Sequence, residues 1–374
     1  MATPRIPATV ITGFLGSGKT TLIRNIIMQA KGKRLALIIN EFGDIGMDGA
    51  MLADCDADSC RVDDIIELAN GCICCTVADD FLPSIQQILA QEPRPDHIII
   101  ETSGLALPQP LVQAFNWPDI KAQIMLDGVV TLVDGPALAG GGIAHDLDAL
   151  EAQRAADEEL DHDSPIDELF ADQIGAANLI LLSKADLVDE GGMARARGLL
   201  EGKLDAPTPI IAISGGVAPI DAILGLDMEE QAHSRSHHSH HHQDGHHQDG
   251  HHQDGHEHEH EHEHEHEHGH EHGHDEFASY VIALGEIGDT EAFQAEIAAI
   301  AGKFGILRAK GRLVVTGKAL PYVVQAVGSR VDGYFARMAM QGGGQIVVIG
   351  LAGLDAAAIA NQLGGALIDA PQAA

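Results

Sequence analysis

Residues Gly13-Phe14-Leu15-Gly16-Ser17-Gly18-Lys19-Thr20 have the spacing G-x-x-x-x-G-K-[ST], with Thr21 next in line. Glycines so placed let a backbone wrap around phosphate, with successive N–H groups aimed at its oxygens. Lys19 would bridge the β- and γ-phosphates of a nucleoside triphosphate, and the Thr20 hydroxyl would bind Mg2+. The apolar run His97–Glu101 then leads into Thr102-Ser103-Gly104. An apolar strand ending in a carboxylate is the Walker B arrangement, in which the acid holds Mg2+ through its water shell. Glu101 takes that place where Asp is usual, and the Gly104 N–H is placed to sense a γ-phosphate.

A third segment, Ser183-Lys184-Ala185-Asp186, follows the apolar run Leu179–Leu182. It occupies the position of an N-K-x-D sequence, whose carboxylate accepts hydrogen bonds from guanine N1–H and the N2 amino group. Adenine presents neither donor, so Asp186 is the residue that would select GTP over ATP. Ser183 replaces the usual Asn and forfeits an amide contact, which predicts weaker base affinity with specificity kept. The plainer reading of this segment is a surface Lys-x-Asp at a strand end.

Five cysteines, Cys55, Cys60, Cys72, Cys74 and Cys75, fall within 21 residues of one another. An odd, clustered set in a chain with no secretion signal reads as metal or redox chemistry rather than disulfide stapling. C-x-C-C at 72–75 is too tight for a zinc-ribbon pair but offers two or three thiolates to one Zn2+ or Co2+ ion. A redox pair and plain buried thiols are the competing readings. Of 23 histidines, 20 lie between His233 and His274, first in H-H-Q-D-G repeats and then alternating with Glu from His256 to His268. An affinity tag would be terminal and uninterrupted. This tract is internal and interleaved with acids, and reads as a low-specificity metal reservoir.

These residues need a scaffold, and the hydrophobic pattern supplies one. Apolar runs at Thr9–Thr12, Leu35–Asn40, His97–Glu101, Val129–Asp134, Leu179–Ser183 and Pro209–Ser214 alternate with helical patterns at Lys19–Ala30, Asp79–Gln91, Pro108–Phe115 and Met193–Leu204. Continuously apolar runs are what strands covered on both faces require, and βα alternation implies an α/β fold: a P-loop NTPase with a doubly wound, mostly parallel sheet. Residues 1–225 form this expected domain, with the C-x-C-C between its second and third strands. Residues 226–276 cannot bury an apolar face and read as a disordered linker. Residues 277–374 read as a small α+β domain: strands at Phe277–Leu284, Ile306–Thr316, Tyr322–Val331 and Gln345–Gly350, helices at Thr290–Ala301 and Asp355–Leu367.

The net charge is −34, of which residues 233–274 contribute −9, so the remaining 332 residues carry −25. That balance argues against a nucleic-acid partner, and an anionic nucleotide needs a dedicated loop to be captured at all. No run reaches the 18 apolar residues needed to span a bilayer, so no membrane role and a cytoplasmic location are expected.

The segments I-T-G-F-L-G-S-G-K-T-T (11–21), I-I-N-E-F-G-D-I-G (38–46), E-L-A-N-G-C-I-C-C-T-V-A-D-D-F-L-P (67–83), E-T-S-G-L-A-L-P-Q-P (101–110) and V-V-T-L-V-D-G (129–135) together resemble the CobW-type metal-handling GTPases of the P-loop class. L-R-A-K-G (307–311) and Q-A-V-G-S-R-V-D (325–332) look like the second domain of that family. T-V-A-D-D-F-L-P and F-N-W-P-D-I are most similar to its cobalamin-synthesis branch. The resemblance implies a GTP-hydrolysing Co2+ chaperone serving cobalt insertion into a corrin ring, with a cobaltochelatase as recipient. The alternatives are a zinc-handling GTPase chaperone with another metal-receiving enzyme, or a metal buffer whose nucleotide site is vestigial. A P-loop kinase is disfavoured by Asp186, and assembly into oligomers is left open. Asn40-Glu41-Phe42-Gly43 and the cysteines share one segment, which predicts tight metal binding by Cys72, Cys74 and Cys75 only with Mg–GTP bound. Two departures from the family pattern are Ser183 and Ala319-Leu320-Pro321, where relatives are more basic.

Overall fold

The structure, a computed structural model, describes residues 5–30, 32–39, 65–67, 81–156, 165–225, 277–336, 342–368 and 372–373. Asn40–Gly43, all five cysteines and the His-rich segment 226–276 lie outside the described residues.

Among the described residues seven parallel strands make the first sheet: β1 (Ile6–Thr12), β2 (Leu35–Ile39), β3 (Ile65–Glu67), β4 (His97–Glu101), β5 (Ile124–Asp134), β6 (Leu179–Ser183) and β7 (Ile210–Ala212). Their order across the sheet is β3-β2-β4-β1-β5-β6-β7. Helices α1 (Lys19–Gln29), α2 (Leu82–Leu89), α3 (Pro108–Ala114), α4 (Pro118–Lys121), α5 (Gly135–Ala139), α6 (Leu147–Ala156), α7 (Ile166–Gly175), α8 (Glu190–Glu201) and α9 (Ile220–Ile223) connect them. On one face Leu22, Ile23, Ile26 and Ile27 of α1 bury against Leu37, Ile99 and Leu132. On the other, Ile85 and Leu111 cover Val10 and Ile100, while Ile174 and Leu200 cover Ile180 and Leu182. Burial from both sides is why these strands carry unbroken apolar runs, and the expected doubly wound architecture is found.

Two features differ from the sequence reading. The short strand β3 precedes Cys72, so the C-x-C-C follows β3 rather than lying in an uninterrupted loop between the second strand and His97. Strand β5 also begins at Ile124 rather than Val129. Asp127-Gly128 forms a bulge: Ala8 pairs with Leu126 and Thr9 with Gly128, leaving Asp127 as the extra residue.

The second sheet is antiparallel: β8 (Phe277–Leu284), β9 (Ile306–Leu313), β10 (Tyr322–Val327), β11 (Arg330–Phe335), β12 (Gly344–Leu351), β13 (Gly365–Leu367) and β14 (Gln372–Ala373), with helices α10 (Thr290–Phe304) and α11 (Ala356–Gln362). Period-two alternation splits its side chains. Ile282, Ala309, Val324 and Val348 pack under Ile297, Ile300 and Ile359 of the helices. Val281, Val327, Val347 and Ile349 point the other way and join the core beneath α1 and the first sheet. The expected strand Tyr322–Val331 is in fact the hairpin β10–β11, reversed at Gly328 (φ 53°). The expected helix Asp355–Leu367 stops at Gln362, and the chain then pairs as β13. Among the described residues no helix is long and apolar enough to cross a membrane.

Candidate functional site

The loop from Gly13 to Gly18 joins the end of β1 to the start of α1. Gly13 has φ 140°, and a Cβ there would stand 2.3 Å from the Leu132 carbonyl oxygen, so no other residue fits. Gly16 and Gly18 also take positive φ, 75° and 98°. No side chain caps the N-terminus of α1 and no acid occupies its first turn. The first-turn N–H groups, which a helix cannot pair internally, therefore meet incoming negative charge together with the positive end of the helix dipole. Lys19 Nζ donates to the carbonyls of Gly13 (2.7 Å) and Phe14 (3.3 Å), which holds its ammonium over the loop. Three buried hydroxyls at or beside the loop, on Thr12, Ser17 and Thr102, have no partner among the described residues. Orphaned donors in a dry cradle fit a polyanion with many acceptor oxygens.

Glu101 ends β4 directly beside Ile11 of β1, and Thr102 N donates to the Ile11 carbonyl (3.0 Å). Its carboxylate is buried, and with the Thr20 hydroxyl it supplies the oxygen chemistry that Mg2+ prefers. Gly104 packs on the phosphate loop itself. A Cβ at Gly104 would fall 2.9 Å from Leu15 N and 3.3 Å from the Phe14 carbonyl carbon, so absence of a side chain is what permits the contact. The buried Gln173 of α7 fixes this turn from behind. Its Nε2 donates to the carbonyls of Gly104 (2.8 Å) and Ala106 (3.2 Å), and its own carbonyl accepts from Thr131 Oγ1 (3.2 Å). A lone Gln inside a helical pattern carries no sequence signal for such a role.

At the end of β6, Ser183 Oγ lies 2.7 Å from the Ser17 carbonyl oxygen and 3.1 Å from that of Val133. The hydroxyl is therefore buried and braces the phosphate loop against β5 rather than facing outward. Lys184 adopts φ 57° and its Nζ donates to Asp134 Oδ2 at 2.6 Å, while Asp134 Oδ1 accepts from Ala137 N and caps α5. Asp134 was legible as the end of an apolar strand and as part of V-V-T-L-V-D-G, with no role attached. Asp186 sits exposed in a single 3-10 turn, Ala185–Leu187, whose Ala185 N is anchored to the Ile213 carbonyl. Ser214-Gly215-Gly216 follows immediately and is tied to α1, because Asn25 Nδ2 donates to the Gly215 carbonyl (3.0 Å).

The carboxyl ends of β1, β4 and β6 thus bring the phosphate loop, Glu101–Gly104 and Ser183–Asp186 to one edge of the sheet. Among the described residues no three His, Cys, Asp or Glu side chains are grouped to hold a metal ion. Cys72, Cys74 and Cys75 lie outside them.

Comparison with known proteins agrees with this geometry. Residues 7–209 match the model of the CobW/HypB/UreG nucleotide-binding domain, and residues 277–367 match the cobalamin synthesis protein cobW C-terminal domain. The chain belongs to the CobW/HypB/UreG family. Within that family it is 48% identical over 361 residues to a zinc chaperone CobW of Sinorhizobium sp, covering 95% of each chain. A zinc chaperone CobW of Pseudomonas aeruginosa is 42% identical over 374 residues, covering 97% of this chain and 92% of that one. A zinc-regulated GTPase metalloprotein activator 1 of Schizosaccharomyces pombe is 34% identical over 226 residues, 59% of this chain and 49% of that one. The CobW/HypB/UreG match spans the whole first sheet except its edge strand β7, and the second match runs from β8 through β13.

Proposed function

We propose that this P-loop GTPase is a metallochaperone that couples GTP hydrolysis to the capture and release of a divalent ion by Cys72, Cys74 and Cys75. The observation that carries the proposal is the position of β3. It runs parallel to β2, so its carboxyl end points to the same edge of the sheet as Gly13–Thr20, and Cys72 follows Glu67 by five residues. Three strand spacings separate β3 from β1 in the sheet order, roughly 14 Å. A segment rooted there is close enough to order around a bound γ-phosphate and to relax after hydrolysis.

In this reading Gly13, Gly16, Ser17, Gly18, Lys19, Thr20, Thr21 and Gly104 hold the phosphates, while Ser183, Lys184 and Asp186 form the base side. Mg2+, held by Thr20 and Glu101, would neutralise the charge that develops on the transferring phosphate. The chain divides into a GTPase domain at 1–225, a His-rich linker at 226–276 and a C-terminal domain at 277–374.

Zn2+ is the cargo this reading favours: thiolate sites prefer Zn2+ to Co2+, and two relatives are named zinc chaperones. The second reading is Co2+ with a cobaltochelatase as recipient, favoured by the T-V-A-D-D-F-L-P and F-N-W-P-D-I segments. GTP turnover by the purified chain, with Lys19→Ala as control, tests the enzyme. Turnover should fall at least about 100-fold in the variant, as loss of one preorganised charge contact does. Turnover that survives Lys19→Ala would assign the activity elsewhere. The metal content of the chain purified from its native cells then decides the cargo, because thiolates favour Zn2+ in simple competition whichever ion is carried.

A further inference from the structure

Arg308 of β9 is 2% exposed and crosses from the second sheet into the first. Its Nη2 donates to Asp127 Oδ2 at 2.7 Å and to the Ile223 carbonyl, and its Nε donates to the Ala222 carbonyl at 3.4 Å. The two carbonyls are those left unpaired at the end of α9, where a cation is favoured. Asp127, also buried, is the bulged residue of β5. Thr9 Oγ1 of β1 reaches Asp127 Oδ2 at 3.4 Å and His97 Nε2 of β4 at 2.8 Å. One polar chain therefore links β4, β1 and β5 to the second sheet, with the Lys310 charge of β9 near enough to act on His97 and Asp127. Next to it, a Cβ on Gly128 would stand 3.2 Å from both methyls of Val327, so the second sheet rests directly on the bulge. The carboxyl ends of these strands carry Glu101, Gly13 and Asp134.

We infer that Arg308 is a positioning residue for nucleotide hydrolysis: by holding the β5 bulge through Asp127, it fixes the mutual register of the three strands that present the phosphate loop and Glu101. The inference rests on the GTPase reading above. Phosphate grip is local to the loop backbone, whereas attack on the γ-phosphate depends on where β4 holds Glu101 relative to β1. Errors of an ångström in such placement are costly to rate.

The test uses the full chain with Arg308→Met, Arg308→Lys and the double variant Arg308→Met/Asp127→Leu. Unfolding midpoint, kcat and KM for GTP are measured well below the lowest midpoint. Arg308→Met strands a buried carboxylate and should unfold earlier, with kcat reduced about tenfold and KM changed less than about twofold. The double variant removes both charges and should recover part of the lost midpoint, because an apolar pair replaces the buried ion pair at little cost while the Ala222 and Ile223 carbonyls stay unpaired. Its kcat should stay low, since the second sheet then meets the bulge only through apolar contact at Val327 and no hydrogen bond fixes it. Arg308→Lys, which keeps one donor, should fall between. If Arg308→Met does not fold, the double variant carries the kcat comparison alone. Wild-type kcat in the double variant overturns the inference and leaves Arg308 a docking contact only. A wild-type chain that hydrolyses no GTP overturns the GTPase reading and the inference with it.

Discussion

A hydroxyl at position 183 cannot reach where an amide would, and the structure gives it other work. Ser183 spans from β6 to the Ser17 carbonyl, so the base-side segment and the phosphate loop are tied through one buried hydrogen bond. In the proposed function base recognition then falls to Asp186, which stands exposed at the same strand end. Asp186→Asn should raise KM for GTP about 10- to 100-fold while leaving that for ATP unchanged, since it removes an acceptor only guanine uses. Parallel KM measurements with both nucleotides check this, and equal losses for both would mean Asp186 does not face the base. The types and spacing of these residues were readable in sequence because each lies within a few positions of its partners in a strand-loop-helix unit. The direction in which Ser183 points was not, because its acceptor lies 166 residues away.

At the scale of elements, turns decide the site. The E-T-S-G turn after β4 presses its glycine against the phosphate loop backbone, and Gln173 holds it from the other side. Gly104→Ala would place a methyl 2.9 Å from Leu15 N, and a backbone atom cannot swing aside as a side chain can. The phosphate loop must shift instead. We expect kcat for GTP to fall at least about tenfold while the urea midpoint moves little, because the misfit is confined to the loop. Unchanged turnover would show that the two loops are free to separate. Strands with both faces covered declared themselves by continuous apolar runs, as in Ile98–Ile100 and Leu179–Leu182. Elements whose ends depend on a single residue did not. Gly328 turns one apolar stretch into a hairpin, and Asp127 hides within a strand because a bulge absorbs it.

At the scale of the whole molecule, two sheets share one core, and the polar chain inside it has a measurable acid signature. Burial holds His97 neutral, pushing its pKa from 6.5 down to about 3, with the attraction of Asp127 too weak to reverse this. Its 4.0 Å approach to Asp127 is therefore not an ion pair near neutral pH. The unfolded chain takes up a proton at His97 below pH 6.5 and the folded chain does not until about 3, so stability is lost as pH falls through that window. The slope from this one proton is about 1.4 kcal/mol per pH unit. Burial acts most strongly and raises the Asp127 carboxyl, but Arg308, His97 and Lys310 together outweigh it and hold the group below its ordinary 3.8, so its contribution is present above that value and lost only at still lower pH. His97→Gln should flatten the stability profile between pH 6.5 and 4, read as urea unfolding free energy at each pH. An unchanged slope would show that His97 is not held neutral. None of this network was legible in the sequence: its hydrogen-bonded side-chain pairs lie 88 to 181 residues apart, and the chain is complete only once both sheets are folded together.

Under the proposed function, nucleotide state controls metal affinity. Co2+, whose bonds to thiolate absorb in the near ultraviolet, can be titrated into the chain with Mg–GDP and with a non-hydrolysable Mg–GTP analogue, followed by Zn2+ competition. Binding should be at least about tenfold tighter in the triphosphate state, a coupling of about 1.4 kcal/mol, and this difference should be lost when Cys72, Cys74 and Cys75 are replaced by Ser. Equal affinity in the two nucleotide states would contradict it.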